Sequence, residues 1–193
     1  MAYLTAAQVR TRVPALANTT TYPSAELERL VTEYTEIAED YLGVAYEPRT
    51  VTAEEVVIPN YVVKLTHPKI RSVTAATVEG VALTATELTE IVIDKLTGSV
   101  SSSRWTGSDL ATFTYSHGFD APTEVLLRSC SEYVRSVAFA DRSGQSRDVI
   151  AQSLDGSFTR YSTPNYSQGR PTGFLEVDRL LNSLPMFRPA GVA

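Results

Sequence analysis

Cysteine, histidine and lysine are scarce in this chain, with one, two and three copies among 193 residues. The lone Cys130 excludes an intrachain disulfide, and without HxxxH or CxxC spacing the three soft ligands His67, His117 and Cys130 do not compose a standard zinc set. Neither a metal nor a cofactor is therefore expected. No apolar run approaches the roughly 20 residues that cross a bilayer, and MAYLTAAQVRTRVPAL lacks a basic stretch followed by an apolar one, so neither a membrane span nor a signal peptide is expected. GxGxxG, GxxxxGK[ST], GxSxG, HExxH and EF-hand patterns are all missing. Positive charge is in deficit: 17 basic against 22 acidic residues leave a net charge of −5, which argues against a general DNA-coating surface.

What is present reads as a soluble globular protein. Hydrophobic content of 43% and charged content of 20% are ordinary, and the length suits one domain with an appendage. Thr5-Ala-Ala-Gln8 has the form of a capping box opening a short helix, with Val9, Val13 and Leu16 following at helical spacing and Pro14 limiting it. SAELERLVTEYTEIAEDYLG predicts a long helix with Ser24 as cap. Leu27, Leu30, Val31, Tyr34, Ile37, Ala38, Tyr41 and Leu42 make its apolar face, and Gly43 its left-handed stop.

From Arg49 to Ser116 the period falls to two. The short Val- and Thr-rich runs RTVTAEEVV, YVVKLTH, IRSVTAATVEG, VALTATEL, EIVIDK, GSVSSS and LATFTYSHG predict an antiparallel β unit of five or six strands. Tight turns are expected at Glu79-Gly80 and at Leu96-Thr97-Gly98. DAPTEVLLRSCSEYVRSVAFAD predicts a second long helix, capped by Asp120 with Pro122 in its first turn, and burying Val125, Leu126, Cys130, Tyr133, Val134 and Val137. Beyond Asp141, RSGQSRD reads as a turn, and Asp155-Gly156 signals a hairpin between half-alternating segments. The fold class is thus α+β. The expected organisation is an α+β domain over residues 1–141 with its β unit at about 49–116, a hairpin and flexible linker over 142–171, and an arm over 172–193.

Few residues invite a chemical reading. His117 beside Asp120 has the makings of an acid/base pair, and with Cys130 it would suggest a thiol-dependent hydrolase. The plainer reading, a turn histidine and a small buried hydrophobe, outweighs it because no nucleophile motif surrounds Cys130. Glu54 and Glu55 are strand neighbours that point to opposite faces, and Trp105 reads as a loop anchor over the sheet. Nothing here argues for an enzyme.

The arm poses a sharper question. TGFLEVDRLLNSL predicts a helix capped by Thr172, with Phe174, Val177, Leu181 and Leu184 along one side. About 12 residues of helix are marginal alone in water, because nucleation is costly. Such a helix needs a surface, either its own core or the groove of another protein, and its periodicity does not decide between them.

One stretch carries a family likeness: HPKIRSVTAATVEGVALTATELTEIVIDKLTGSVSSSRWTGSDLATFTYSHGFDAPTEVLLRSCSEYV. His-Pro, Ile-x-Ser-Val, a valine strand turning at Glu79-Gly80, a strand ending in Asp94, Thr97-Gly98-x-Val100, a lone Trp105 and Phe-x-Tyr-x-His-Gly before a Pro-initiated helix follow one another. That succession resembles the head-to-tail adaptor (head completion, or connector) proteins of long-tailed phages, over about Leu4 to Asn182. The resemblance implies a non-enzymatic virion protein of the neck between capsid and tail, assembled in the host cytoplasm. It implies a homo-oligomeric ring, usually of twelve copies, beneath the portal protein, with DNA passing through its channel unbound by sequence. Its other face, with the β turns as candidates, would receive a stopper or tail completion protein. It further implies portal contacts in the C-terminal segment, at Arg170, Pro171, Phe174, Leu175, Val177, Leu180, Leu181 and Leu184. The alternative within the neck is a stopper or tail terminator, proteins dominated by β structure.

Overall fold

The computed structural model describes residues 2–105, 107, 109–143, 149–152, 159–161 and 170–187. It is α+β, with helices α1 (Ala6–Arg12), α2 (Ser24–Leu42), α3 (Ala85–Thr89), α4 (Glu124–Ser143) and α5 (Leu175–Asn182). The strands are β1 (Arg49–Ile58), β2 (Val62–Lys64), β3 (Ile70–Val78), β4 (Val81–Ala82), β5 (Val92–Asp94), β6 (Ser99–Ser101), β7 (Asp109–His117), β8 (Val149–Gln152) and β9 (Thr159–Tyr161). Contacts divide the chain into two compact units, Met1–Tyr41 with Thr123–Pro185 and Leu42–Pro122 with Met186–Ala193. The expected single domain over 1–141 is therefore split at Tyr41 and Thr123, and the expected arm is shared between the units.

In the helical unit the Thr5/Gln8 capping box forms on both sides: the Gln8 amide donates to the Thr5 hydroxyl at 3.3 Å and the Thr5 amide to the Gln8 side chain at 2.8 Å. Pro14 then opens a single 3₁₀ turn, Pro14–Leu16. Caps elsewhere differ from expectation. Helix α2 begins on the carbonyl of Pro23, which accepts from the amides of Glu26 and Leu27, while the Ser24 hydroxyl accepts from Arg10 instead. Helix α4 is capped by Thr123, whose hydroxyl accepts from the Leu126 amide at 3.4 Å. Asp120 pairs with Arg71 instead, and Pro122 precedes the cap rather than entering the helix. Val125, expected in the core, is exposed because at 100° per residue it lies half a turn from Val134, beyond the edge of the buried stripe.

Most of both stripes is buried as the spacing requires: Leu27, Leu30, Val31, Tyr34, Ala38 and Leu42 on α2, where Ile37 and Tyr41 are half-buried, and Leu126, Cys130, Tyr133, Val134 and Val137 on α4. Aromatic rings join the segments, with Tyr34 6.4 Å from Tyr3 and 5.5 Å from Tyr133. The Tyr133 hydroxyl donates to Glu33 at 2.6 Å. Strands β8 and β9 pair antiparallel, as expected of the segments flanking a hairpin; Asp155 and Gly156 lie outside the described residues, as does most of the expected linker.

The β unit holds two antiparallel sheets, in the orders β1-β7-β3-β4 and β2-β6-β5. Strand β7 alternates strictly: Ala111, Phe113, Tyr115 and His117 are buried, while Leu110, Thr112, Thr114 and Ser116 face away. Ala111, Phe113 and Tyr115 join Ile58, Leu65, Ile70, Val100 and Trp105 in one core, and the Trp105 indole stands edge-on to Phe113 at 5.7 Å. Glu79 and Gly80, both at positive φ, form the tight turn that closes Val78 onto Val81. The segment from Thr84 to Leu88 is not extended, as VALTATEL suggests it should be: Thr84 and Glu87 make a reciprocal capping box that starts α3.

Gly118 ends β7 at φ +99, where an added Cβ would lie 2.5 Å from the Glu47 carbonyl oxygen and 3.0 Å from that of Ala45. Gly80 has a similar φ of +76 but open space around it. Gly80→Ala is expected to cost about 1–2 kcal/mol from φ strain alone, and Gly118→Ala about 3 kcal/mol because backbone must also move. Urea unfolding of the two variants side by side checks the difference, and equal losses would refute the steric account.

Candidate functional site

The C-terminal helix settles on its own unit. Val177 and Leu181 are buried, and α5 packs along α4, where the Ser129 hydroxyl donates to the Val177 carbonyl at 3.3 Å. Phe174 meets the Tyr133 ring edge-on at 5.9 Å, and Tyr41 hydrogen-bonds Asn182. Thr172 does not cap the helix, since Phe174 occupies that position without a side-chain bond. Instead the Thr172 amide and hydroxyl both donate to Asp178 Oδ1, at 3.0 and 2.7 Å, closing the loop that leads into α5. Asp178 is 2% exposed, and its Oδ2 has no partner among the described residues.

Of the eight residues expected to meet a portal, the fold thus removes Val177 and Leu181 to the interior. Phe174, Pro171, Leu180 and Leu184 are half-buried, and Arg170 and Leu175 are exposed, Leu175 at 66%. The outer side of α5 pairs that leucine with a Glu176–Arg179 ion pair of 3.3 Å. A preformed surface of this kind offers one apolar side chain among charges.

Cys130 lies within the packed side of α4, fully buried, and burial pushes its thiol up to about 12. Such a thiol is not ionised near neutral pH and behaves as core. The acid/base pair also fails to form, since the Asp120 carboxylate is engaged by Arg71.

His117 has a different partner, which sequence reasoning missed. The only two histidines of the chain stack on each other, with centroids 4.1 Å apart and planes inclined by 26°. His67 Nδ1 is 3.0 Å from the Tyr115 hydroxyl, which in turn bonds Glu54. Glu54 also accepts from the Thr66 amide at 2.8 Å and its hydroxyl at 2.7 Å. His117 is 4% exposed and its Nδ1 is without a partner among the described residues. Burial, then the neighbouring His67 and Arg49, lower His117 to about 4, while burial lowers His67 and raises Tyr115. Both imidazoles are therefore neutral around pH 7, and the network holds β1, β7 and the loop at 66–69 together. The available signal was alternation: His117 falls on the buried side of β7 with Phe113 and Tyr115.

No protein-family model and no curated protein sequence matches the chain.

Because the folded state keeps His117 neutral, its contribution to stability is complete above about pH 6.5 and is lost as pH falls towards 4, where the unfolded chain takes a proton first. The loss is on the order of 3 kcal/mol. Urea midpoints of the native chain at pH 7 and pH 4.5 should therefore differ more than those of His117→Asn, and parallel pH profiles would dismiss the effect. In the helical unit, Leu181→Ala should destabilise by about 2–4 kcal/mol and Leu175→Ala by less than about 0.5, as thermal unfolding reads.

Proposed function

We propose that the chain is a head-to-tail adaptor of a long-tailed phage, a ring-forming neck subunit that extends the portal channel and carries the next head completion or tail protein. What supports the reading is the ordered succession from His67 to Val134: a turn at His67-Pro68, a hairpin at Glu79-Gly80, a turn at Gly98, then a Phe113-x-Tyr115-x-His117-Gly118 strand feeding a long helix. Helices of 19 and 20 residues favour it over a β-dominated stopper or tail terminator.

The portal contact then takes a particular form. With Val177 and Leu181 occupied, a partner meets the outer side of an already folded α5, through Leu175 and Arg170 with the exposed parts of Phe174, Pro171, Leu180 and Leu184. A prefolded helix avoids the ordering cost that a disordered arm would bear on docking. The small area per subunit is compensated by repetition, because a ring holds many such contacts at high effective concentration. A net charge of −5 also lets polyanionic DNA move past without adhering.

Electron microscopy of the full chain mixed with the portal protein of the same phage tests this. A twelvefold ring on the portal is expected, reduced at least tenfold in occupancy by Leu175→Asp, a surface change that leaves the subunit folded. Failure of the native chain to form any ring would end the adaptor reading. Undiminished docking of Leu175→Asp would instead remove α5 from the interface.

A further inference from the structure

All three lysines of this arginine-rich, acidic chain, Lys64, Lys69 and Lys95, fall in the β unit, and two of them line one cleft. The cleft has a volume of about 320 Å³, is open to solvent, and is walled by Lys69, Arg71, Lys95, Phe119 and Asp120 with the backbone of Gly118. Asp120 is its only acid and is engaged by Arg71. Three cations against one anion leave the cleft at +2 within a chain of −5.

Lys69 is held in place by the fold. Its backbone is left-handed, at φ +57, a conformation that is uncommon and costly for a residue with a side chain. The Gly118 amide donates to its carbonyl at 3.0 Å, in the crowded turn where Gly118 itself is obligatory. Its ammonium lies 5.0 Å from the centre of the Phe119 ring and 4.9 Å from that of Phe187. Those rings are fixed in turn: Phe119 stacks on Tyr46 at 4.8 Å, and the Phe187 amide donates to the Leu42 carbonyl at 2.7 Å. Ring faces attract the ammonium but accept few of its hydrogen bonds. Lys95 sits on the loop between β5 and β6, and the one carboxylate beside it in sequence, Asp94, is committed to the Leu96 amide at 2.9 Å and the Thr97 hydroxyl at 2.7 Å. Among the described residues neither ammonium has an ion-pair partner. A lysine held by two rings on a strained backbone, without an acid, is placed for an acceptor that comes from outside.

We propose that this cleft is a phosphate-binding site, in which Lys69 and Lys95 are paired point charges and the edge of the Arg71 guanidinium is the third donor group. The excess of two charges matches a phosphate dianion or neighbouring phosphodiesters. An ammonium gives its three donors to phosphate oxygens in any direction, whereas the planar fork suited to a carboxylate is Arg71, which already has one. The phosphate comes from a nucleic-acid backbone or from a free phosphate ion, and the site's chemistry is the same for both. The inference stands on the cleft alone and does not depend on the adaptor reading.

The full chain is titrated with inorganic phosphate, with a single-stranded oligodeoxynucleotide, and with a glutamate peptide of equal charge, followed by backbone amide shifts and by calorimetry. Amides of Lys69, Gly118 and Phe119 should move with the phosphate-bearing probes. Lys69→Asn/Lys95→Gln should weaken oligonucleotide binding at least tenfold and flatten the slope of log affinity against log salt by about 1.4, two phosphates at ~0.7 each for a single strand. Asparagine tolerates the left-handed backbone at 69, and Lys95→Gln alone, on an exposed loop, should cost about threefold if the paired variant proves unfolded. Lys64→Gln, on β2 and outside the cleft, should bind as the native chain does. Inorganic phosphate moving the same amides and displacing the oligonucleotide assigns the site to any phosphate; response to the oligonucleotide alone assigns it to a backbone. The proposal is overturned if no phosphate-bearing probe moves these amides, if the glutamate peptide binds as tightly, or if the lysine variants bind like the native chain.

Discussion

Helix α4 is buried over more than half of its circumference, and that one constraint organises the helical unit. At 100° per residue, Leu126, Ser129, Cys130, Ser131, Tyr133, Val134, Val137 and Ala138 spread over roughly 200° of the helix surface. A single neighbouring helix covers a stripe of about half that width. Two sides must therefore be covered, and α5 supplies one of them with Val177 and Leu181. The small residue Ser129 lets the α5 backbone come close enough for its hydroxyl to reach a carbonyl. Leaving that side open would expose Ser129 and Tyr133 along with the two aliphatic side chains that now meet them.

This is also why the arm's destination is not legible in the sequence. Hydrophobic periodicity finds a stripe of large apolar residues, and on α4 it finds most of the right one. Each edge of the buried arc carries a serine, Ser129 at one and Ser131 at the other, and serines read as surface. Ser131 satisfies its hydroxyl on the Leu127 carbonyl one turn back, at 2.8 Å, and Ser129 on α5, so both are buried without penalty. A polar residue that bonds to backbone looks like a solvent-facing position in any count of apolar side chains. Val125 misleads in the opposite direction, an apolar residue that lies just outside the buried arc.

In the β unit, local chemistry is legible where one residue type has one job. Glycine at the second position of a two-residue turn, alternation along β7 and the ring of Trp105 over the sheet all follow from the sequence. Helix α3 does not, although Thr84-x-x-Glu87 carries the same capping signature that is plain at Thr5-x-x-Gln8. Surrounded by valine and threonine, five residues give too little periodicity to compete with a strand reading. The histidine stack is hidden for another reason. His67 and His117 are 50 positions apart in sequence, and only the β3–β7 pairing, which places Ile70 opposite His117, brings the loop before β3 over the end of β7.

The same strand ends concentrate the polar commitments of the β unit. One residue beyond His117, the Gly118 amide donates to the carbonyl of Lys69, so the loop that stacks His67 on His117 also carries Lys69. Two residues of one loop thus have different neighbours: an imidazole stacked on His117 and an ammonium over the rings of Phe119 and Phe187. Burial disfavours the charged form of the imidazole. The left-handed residue at 69, φ +57, lies between the imidazole and the strand that begins at Ile70. The strain at Lys69 is therefore coupled to the core beneath it, and a ligand drawn to that ammonium would act on a loop whose other end is anchored through His67, Tyr115 and Glu54.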